Sequence, residues 1–481
     1  MRTSRAVAAV LAGAAAFVLV AFATKPPGPG LDPDAASYIG AAVSFVRTGA
    51  YLVPSSSWAV MDTTDVLAHF PPGFPTAIAG GVALGMPPIQ SARLVIAVAA
   101  FVTATVIALL LGSEALGLLG VAVVFLTPAV VDVHLSVLAL MPRAGWTSRV
   151  ALGLLGAAAV MVRYVGAGVV GGVALWVLGQ PGVPWRNRLR DLALVTVPAA
   201  VLFKIWTSRH AEIRRIASYG NFYATLRSGG TTVGNWLAPG ITAPGLRWVV
   251  AIVIALLVGL AIARVWRKRP IIVAATLLGV CLIGVTVVSR LFADPNIPFD
   301  ERILAPLFVL AELAAVSALD HAPRITKLLL GAWIVASAVV SIGAIQFALE
   351  DGNDFASADW RYSPTVAWVR DSANGRTIYT NWPVALYFHA GRDAHGLPPV
   401  LEPLTLRRFG DRLARTHGLM VAFDIASPDA APPDSIAERL RLRPVARLGD
   451  GTVWQFPTSG DVPRPATAES PGTGSGGRGR Y

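Results

Sequence analysis

The sequence predicts an all-α polytopic membrane domain followed by a small α+β domain outside the membrane. Hydrophobic residues make up 54% of the 481 residues and charged residues only 14%, a balance that water-soluble proteins of this length do not show. Long uncharged stretches recur up to residue 349, whereas apolar and charged residues interleave from residue 350. We therefore expect a membrane domain over residues 1–349, a folded domain over residues 350–457, and a disordered Pro-, Gly- and Ser-rich tail over residues 458–481.

The membrane spans are predicted from length, because a helix needs about 20 residues to cross a hydrocarbon layer of roughly 30 Å. Uncharged stretches of suitable length lie at residues 6–23, 94–113, 115–131, 248–263, 270–289 and 328–349. Three weaker candidates contain a charge: residues 192–207 contain Lys204, residues 303–319 contain Glu312, and residues 150–179 are split by Arg163 into two short spans. These stretches predict about nine to eleven spans. A buried ion pair between Lys204 and Glu312 is a further expectation.

Loop charge predicts the orientation of these spans. Loops at alternate helix ends, beginning with Arg2 and Arg5, carry 13 basic and three acidic residues, while the opposite loops carry ten basic and nine acidic residues. The positive-inside rule then puts the N-terminus inside, and puts loop 25–74 and the chain after residue 350 outside. The membrane is expected to be the cytoplasmic membrane. Residues 350–481 carry 15 charges of each sign, so the net charge of +12 lies in the membrane domain. This distribution disfavours nucleic-acid binding.

The first apolar stretch has two readings. It follows Arg2 and Arg5 and ends in Ala21-Phe22-Ala23, as a cleaved signal peptide would. We favour an anchored helix, because 18 apolar residues are long for a signal core.

Some classes of chemistry are excluded by residue type. The single cysteine, Cys281, allows neither an intramolecular disulfide nor a cysteine-based metal or redox motif. The histidines show no zinc-ligand spacing, so we do not expect a zinc site built by the protein.

The first predicted outside loop contains two carboxylates, Asp32 and Asp34, about ten residues after the first span. Near the bilayer, a lower dielectric and nearby cations can tune a carboxylate as a general base. The structural alternative is a solvated turn that opens an amphipathic helix, with Asp34 as its N-cap. The loop by itself leaves both readings open.

Further motifs follow in a characteristic order. The loop continues with Tyr38, a Gly49-Ala50-Tyr51 turn and the segment HFPPGFP at residues 69–75, and Ala92-Arg93-Leu94 opens the next span. Residues 162–166 read VRYVG, and residues 300–307 read DERILAPL. This set resembles the membrane-embedded GT-C glycosyltransferases, in particular the bacterial branch related to protein mannosyltransferases and aminoarabinose transferases. Residues 363–370 and 378–392 look like the outside domain of such proteins, so the likeness covers about residues 5–457.

The resemblance implies an enzyme that moves a hexose or pentose from a polyprenyl phosphate to an acceptor outside the membrane, usually with inversion. The acceptor is a cell-envelope glycan, a lipid or a protein. Asp34 aligns with the family's loop carboxylate and is the expected general base. Asp32 is expected to be its partner or a ligand for a divalent cation, the only cofactor we consider. Tyr38 is a candidate for substrate binding.

The resemblance also implies cationic residues at the donor phosphate, where guanidinium groups can make bidentate contacts. Arg302 and Arg163 are the leading candidates, and His69 and Arg93 are weaker ones. Arg163 interrupts an apolar run at a cost of roughly 2.5 to 3.5 kcal/mol, which argues against an incidental position. The structural alternatives are snorkelling for Arg302, a salt bridge for Arg163, polar surface for His69 and a helix end for Arg93. The lipid tail is expected near residues 299–310.

Two other classes of function remain open. In a transporter or lipid flippase, Arg163, Lys204 and Glu312 would line a path, and Asp34 would be incidental. In a non-catalytic scaffold the site would be degenerate. The scaffold is suggested by residues 133–149, which are too short for the helix pair usually found there in the resembled family.

Overall fold

A computed structural model describes residues 2–28, 30–111, 120, 146–180, 182–210, 222–292, 297, 299–319 and 322–457. The chain divides into two units: Met1–Val53 with Asp65–Arg361, and Pro54–Thr64 with Tyr362–Tyr481. The middle of the first loop, Pro54–Thr64, therefore belongs to the second unit, although its place in the sequence suggests the membrane domain. The reason is strand pairing, which a pattern of hydrophobicity does not reveal.

The first unit is built almost entirely from helices. In chain order they are α1 (Arg2–Ala23), α2 (Pro33–Thr48), α3 (Gly73–Ala83), α4 (Pro88–Leu110), α5 (Trp146–Val162), α6 (Ala167–Leu178), α7 (Trp185–His210), α8 (Phe222–Leu237), α9 (Pro244–Val265), α10 (Pro270–Phe292), α11 (Glu301–Ala318), α12 (Arg324–Glu350) and α13 (Ala358–Arg361). Short 3-10 turns lie at Tyr164–Gly166 and Trp266–Lys268, and strands β1 (Leu52–Val53) and β3 (Asp65–Val66) pair antiparallel.

Five of these helices, α1, α4, α9, α10 and α12, are long and apolar enough to cross a membrane, and four shorter apolar helices occur in the same described residues. The first unit is therefore an all-α polytopic membrane domain, as predicted. Apart from residue 120, the expected span at residues 115–131 lies outside the described residues, so the number of nine to eleven spans stays a prediction.

Small residues allow α6 to pack closely on α10. A Cβ added at Gly168 would lie 2.6 Å from the Cα of Leu282, and one added at Gly172 would lie 2.7 Å from the Cα of Leu278. Lipid tails are as apolar as leucine, so membrane helices associate largely through close packing of this kind. The contact fixes α6 against the core of the membrane domain.

The expected buried ion pair in the membrane domain is wrong. Glu312 is buried on α11, with 7% of its surface exposed, but Lys204 is exposed on α7. The apolar neighbours of Lys204, including Leu202 and Phe203, are also exposed. This part of α7 faces away from the protein, and a lysine there can extend its charge toward water.

The second unit is an α+β domain around a six-stranded sheet. Its strands are β2 (Ser55–Ser56), β4 (Ile378–Thr380), β5 (Ala394–Gly396), β6 (Leu419–Phe423), β7 (Arg443–Leu448) and β8 (Gly451–Gln455), and its helices are α14 (Pro364–Ser372), α15 (Pro383–Ala390), α16 (Pro403–Arg415) and α17 (Pro433–Arg439). The order in the sheet is β2-β5-β4-β6-β8-β7, parallel from β2 to β6 and antiparallel beyond. The sequence predicts a helix at residues 363–371, a strand at residues 419–423 and a hairpin around Gly449-Asp450-Gly451. Helix α14, strand β6 and the β7–β8 hairpin confirm these predictions.

The edge strand β2 comes from the first loop and is held by His395. Ser55 and Ser56 pair with Ala394 and His395 of β5, and Nδ1 of His395 lies 2.8 Å from Oγ of Ser56. The ring is 1% exposed and stacks on Tyr379 at 4.8 Å. Burial lowers the pKa of His395 below its usual value, although a hydrogen bond to the Ser57 carbonyl partly opposes this shift.

Candidate active site

The helix that carries the two loop carboxylates begins two residues earlier than an Asp34 cap requires. Asp32 is the N-cap of α2, and its Oδ1 accepts a hydrogen bond from the backbone N–H of Ala35 at 2.7 Å. Pro33 occupies the first helical position, where its missing N–H and fixed φ are favourable. The reading of Asp34 as the N-cap is therefore wrong. Asp34 lies in the first turn of the helix, where the helix dipole favours a carboxylate.

A cavity of about 630 Å³ that water can enter lies next to this turn, within the first unit. Carboxylates and guanidinium groups from four separate segments line it: Asp32, Asp34, Arg93, Arg163 and Asp354, together with Tyr38 and apolar residues such as Phe74, Ile78 and Ile96. The cavity thus combines groups that can take up a proton with groups that can bind an anion.

Arg163 reaches the cavity because the apolar run breaks at this residue. α5 ends at Val162, and Arg163 is extended (φ −149°, ψ 138°) before the 3-10 turn Tyr164–Gly166. Trp206 Nε1 donates to the Tyr164 hydroxyl at 3.1 Å, which fixes the turn. Among the described residues, no ion pair joins Arg163 to a carboxylate, so the salt-bridge alternative finds no support there.

Aromatic packing connects this break to the first loop. Trp206 and Tyr164 share a cluster with Leu67, Phe70 and Tyr51, and Tyr51 packs edge-on against Trp206 at 5.9 Å. Aromatic side chains bury large areas and favour such tilted geometries. The cluster joins the first loop to Trp206 of α7, which is more than 100 positions away in the sequence.

Arg93 lines the cavity and also contacts the end of the first helix. Its Nη2 donates to the carbonyl of Ala21 at 3.0 Å, and its Nε donates to Oγ1 of Thr24 at 3.4 Å. A cation at the C-terminal end of a helix is favoured by the unpaired carbonyls and the helix dipole. Arg93 therefore has a structural role, whichever ligand the cavity takes.

Tyr38 and His69 occupy different environments in the loop. Tyr38 is 8% exposed, packs against Phe70 at 4.7 Å and Phe74 at 5.1 Å, and lines the cavity. His69 is exposed and lies edge-on to Phe70 at 4.6 Å. It is not among the described residues that line the cavity, so its role at the phosphate stays a prediction.

Arg302 lies in the first turn of α11. Asp300 accepts a hydrogen bond from the Ile303 N–H at 3.2 Å and opens this helix. The preceding residue, Phe299, is fixed by a hydrogen bond of 2.7 Å from Thr232 Oγ1 to its carbonyl. The side chain of Arg302 lies outside the described residues, and its phosphate contact stays a prediction. Phe299 and Phe308 are buried in the core, so the expected lipid tail near residues 299–310 lacks an accessible surface at these two side chains.

Sequence reasoning missed one acidic residue of the cavity, Asp354, which follows α12. The signal was present as the acidic turn Glu350-Asp351-Gly352-Asn353-Asp354 at the end of a predicted span. It could not be connected to Asp32 or Asp34, because more than 300 residues separate them.

The described residues do not build a site for the divalent cation considered above. No group of three or more His, Cys, Asp or Glu side chains among them is placed to hold a metal ion. One oxygen of Asp32 already accepts the helix-capping hydrogen bond.

Comparison with known proteins identifies the fold. No protein-family profile matches the chain, and no curated protein matches its sequence. Among solved structures, the chain is similar to the crystal structure of ArnT from Cupriavidus metallidurans bound to undecaprenyl phosphate, with 14% sequence identity and a TM-score of 0.53. The match covers 95% of this chain and 99% of that chain. The chain therefore has the fold of ArnT, a GT-C glycosyltransferase, which confirms the resemblance at the level of fold.

Proposed function

We propose that this protein is a glycosyltransferase that takes a sugar from a polyprenyl-phosphate donor and passes it to an acceptor outside the cytoplasmic membrane. The observation that carries the proposal is that Asp34 and Arg163, 129 positions apart in the sequence, line one cavity of the membrane domain. The fold shared with ArnT supports it. In this proposal, loop 25–74 and the C-terminal domain lie outside.

The carboxylate of Asp34 acts as the general base. It removes the proton from an acceptor hydroxyl, and the acceptor oxygen attacks the anomeric carbon from the face opposite the phosphate. A bond forms between that oxygen and that carbon, while the bond from the carbon to the phosphate oxygen breaks. The configuration inverts, and the electron pair leaves with the polyprenyl phosphate. General-base help of this kind is worth roughly 10² to 10⁴ in rate.

The departing phosphate gains negative charge in the transition state, and the arginines stabilise it. Arg163 is the main described candidate, because its half-buried side chain lines the cavity. Arg302 is proposed as a second phosphate ligand from the start of α11. Arg93 adds positive charge while it holds the end of α1. Fixed cations near a developing charge are usually a large part of catalysis.

The first experiment measures donor binding and transfer separately. Undecaprenyl phosphate is added to the purified chain in nanodiscs, and its affinity is compared with that of undecaprenol, which lacks the phosphate. We expect the chain to bind undecaprenyl phosphate tightly and undecaprenol weakly. Arg163→Gln should bind undecaprenyl phosphate at least tenfold more weakly than the wild type. Envelope glycans from cells with and without the protein are then compared by mass spectrometry, which identifies sugar and acceptor together.

The catalytic carboxylate is tested by Asp34→Asn with Asp65→Asn as the matched control. Asp65 is an exposed carboxylate of the same loop and lies outside the described lining of the cavity. We expect Asp34→Asn to lower transfer by roughly 10² to 10⁴ without weakening undecaprenyl phosphate binding, and Asp65→Asn to transfer normally. Equal transfer in both variants would refute the role of Asp34.

The same experiments separate the enzyme from a lipid flippase. Glu312 favours the flippase reading, because it is buried within a membrane helix, where ionisable residues are usually functional. Lys204 does not support it, because its side chain is exposed. If Asp34→Asn leaves the envelope glycans unchanged and Glu312→Gln stops lipid movement in proteoliposomes, the proposed enzyme is wrong.

A further inference from the structure

The chain after the last membrane helix brings a third carboxylate to the cavity. Asp354 lines the cavity and is exposed, whereas Asp34 is half-buried. Its backbone is left-handed (φ +47°), a conformation that aspartate adopts more readily than most residues. Asp354 forms a parallel bridge with Leu31, and the Asn353 N–H donates to the Gly28 carbonyl at 3.3 Å. The backbone at residues 353–354 is therefore fixed against the segment that leads into α2.

Gly30 makes room for this carboxylate. A Cβ added at Gly30 would lie 2.6 Å from Oδ2 of Asp354, and the φ of Gly30 is +122°. Only glycine combines this backbone conformation with the space that the carboxylate occupies. The side chain of Asp354 thus lies directly against the chain two residues before Asp32, at the more exposed side of the cavity.

We propose that Asp354 binds hydroxyl groups of a glycan acceptor and positions one of them for Asp34. The inference rests on the proposed function. A carboxylate accepts hydrogen bonds from hydroxyl groups and makes stronger bonds than a neutral acceptor does. A carboxylate also repels a phosphate, so the donor phosphate binds at the arginines. Asp354 is a positioning residue in this account, because it acts on the acceptor and takes no part in bond formation.

The charge of the cavity agrees with a polyhydroxyl acceptor. Its described lining contains three aspartates and two arginines. The donor phosphate is drawn to the arginines, so the surface that remains for an acceptor carries carboxylates. An anionic acceptor would be repelled there, whereas a neutral glycan offers hydroxyl groups that can donate to a carboxylate.

The test uses Asp354→Asn in the full chain, with Asp351→Asn as the control. Asp351 is an exposed carboxylate only three residues away and lies outside the described lining of the cavity. Membranes that contain each variant supply the donor, and the envelope glycan fraction of cells lacking the protein is the acceptor probe. We expect Asp354→Asn to raise the half-saturating concentration of this fraction by about 10- to 100-fold, as loss of hydrogen bonds to a charged group does. Its affinity for undecaprenyl phosphate should equal that of the wild type, and Asp351→Asn should match the wild type in both measurements.

Gly30→Ala provides a second variant, which removes no polar group from the chain. The added Cβ displaces the Asp354 carboxylate, so the half-saturating concentration should rise as in Asp354→Asn. Gly49→Ala is the matched control for backbone strain, because Gly49 also has a positive φ (+76°) and its Cβ would meet nothing within 4 Å. A rise with Gly30→Ala and none with Gly49→Ala supports the inference.

The outcomes distinguish this inference from the proposed function. Normal acceptor saturation in both Asp354→Asn and Gly30→Ala, with transfer intact, overturns the inference alone. If the wild-type membranes transfer no sugar to the glycan fraction and the purified chain does not bind undecaprenyl phosphate, both proposals fall. A loss of undecaprenyl phosphate binding in Asp354→Asn would place this residue at the donor and would also overturn the inference.

Discussion

Replacing Gly166 by alanine tests whether the break after α5 positions Arg163. The Gly166 N–H donates to the Arg163 carbonyl at 2.8 Å and closes the 3-10 turn. A Cβ at Gly166 would lie 2.4 Å from both the carbonyl carbon and oxygen of Ala159, and 2.7 Å from the N atom of Val160. These are backbone atoms of α5, which cannot rotate away as the tip of a side chain would. The turn that carries Arg163 must therefore move.

The size of the effect follows from these distances. Contacts of a real Cβ are rarely shorter than 3.4 Å, so the turn shifts by about 1 Å, and a misplacement of that size can lower a rate by about 100-fold. Overpacking of this kind costs about 1–3 kcal/mol in the free energy of unfolding. We expect sugar transfer to fall by about 100-fold and undecaprenyl phosphate to bind more weakly, because Arg163 moves with the turn.

Gly171→Ala is the control on the neighbouring helix. Its Cβ would lie 3.6 Å from Cys281, an ordinary contact, so thermal stability and binding should match the wild type. Affinity for undecaprenyl phosphate and thermal denaturation are measured for both variants in nanodiscs. Gly166→Ala could be less stable but bind undecaprenyl phosphate with wild-type affinity and transfer sugar normally. Donor binding and transfer would then not depend on the position of Arg163, and the proposed role of this residue would be wrong.

Two further predictions concern stability. Because the folded chain keeps His395 neutral while the unfolded chain protonates a histidine with a pKa near 6.5, docking of β2 should weaken as the pH falls below that value. Hydrogen exchange at β2 and β5, corrected for the intrinsic rate, should increase at pH 5.5 in the wild type and in the His417→Gln control. It should change less in His395→Gln. Equal pH dependence in the two variants would refute this role of His395. Asp191→Asn should lower the free energy of unfolding by about 3–5 kcal/mol, because it leaves Arg149 uncompensated where both side chains are 11% exposed. Asp371→Asn, in a pair with Arg370 that is more than half exposed, should change it by at most about 1 kcal/mol; similar losses in the two variants would contradict this account.

Much of the architecture could be predicted because it depends on local composition. Apolar length predicted α1, α4, α9, α10 and α12, since a membrane requires a minimum run of uncharged residues. A short apolar run predicted β6, and the turn residues Gly449-Asp450-Gly451 predicted the β7–β8 hairpin. Arg163 predicted a break between two short helices, because a charge within an apolar run is costly. The order of short motifs predicted the fold that the comparison with ArnT confirms.

Details that depend on a single neighbouring residue, or on which side of a helix faces the protein, were less predictable. The capping role belongs to Asp32 and not Asp34, because Pro33 occupies the first helical position, where its fixed φ and missing N–H are favourable. The expected pair of Lys204 and Glu312 failed, because helical position alone does not say whether a side chain faces protein or lipid.

The sequence alone is sufficient to predict that this chain crosses a membrane several times. It also predicts that Asp32, Asp34 and Arg163 lie at helix ends or breaks, because hydrophobic length and helix-breaking charges act within a few residues. Only tertiary packing brings Asp34, Arg163 and Asp354 to one cavity and adds Ser55–Ser56 to the sheet of the second unit. Those arrangements depend on contacts between segments that are far apart in the sequence. Examples are the packing of Trp206 and Tyr164 against the first loop and the close approach of Asp354 to Gly30. No pattern within a single segment contains such information.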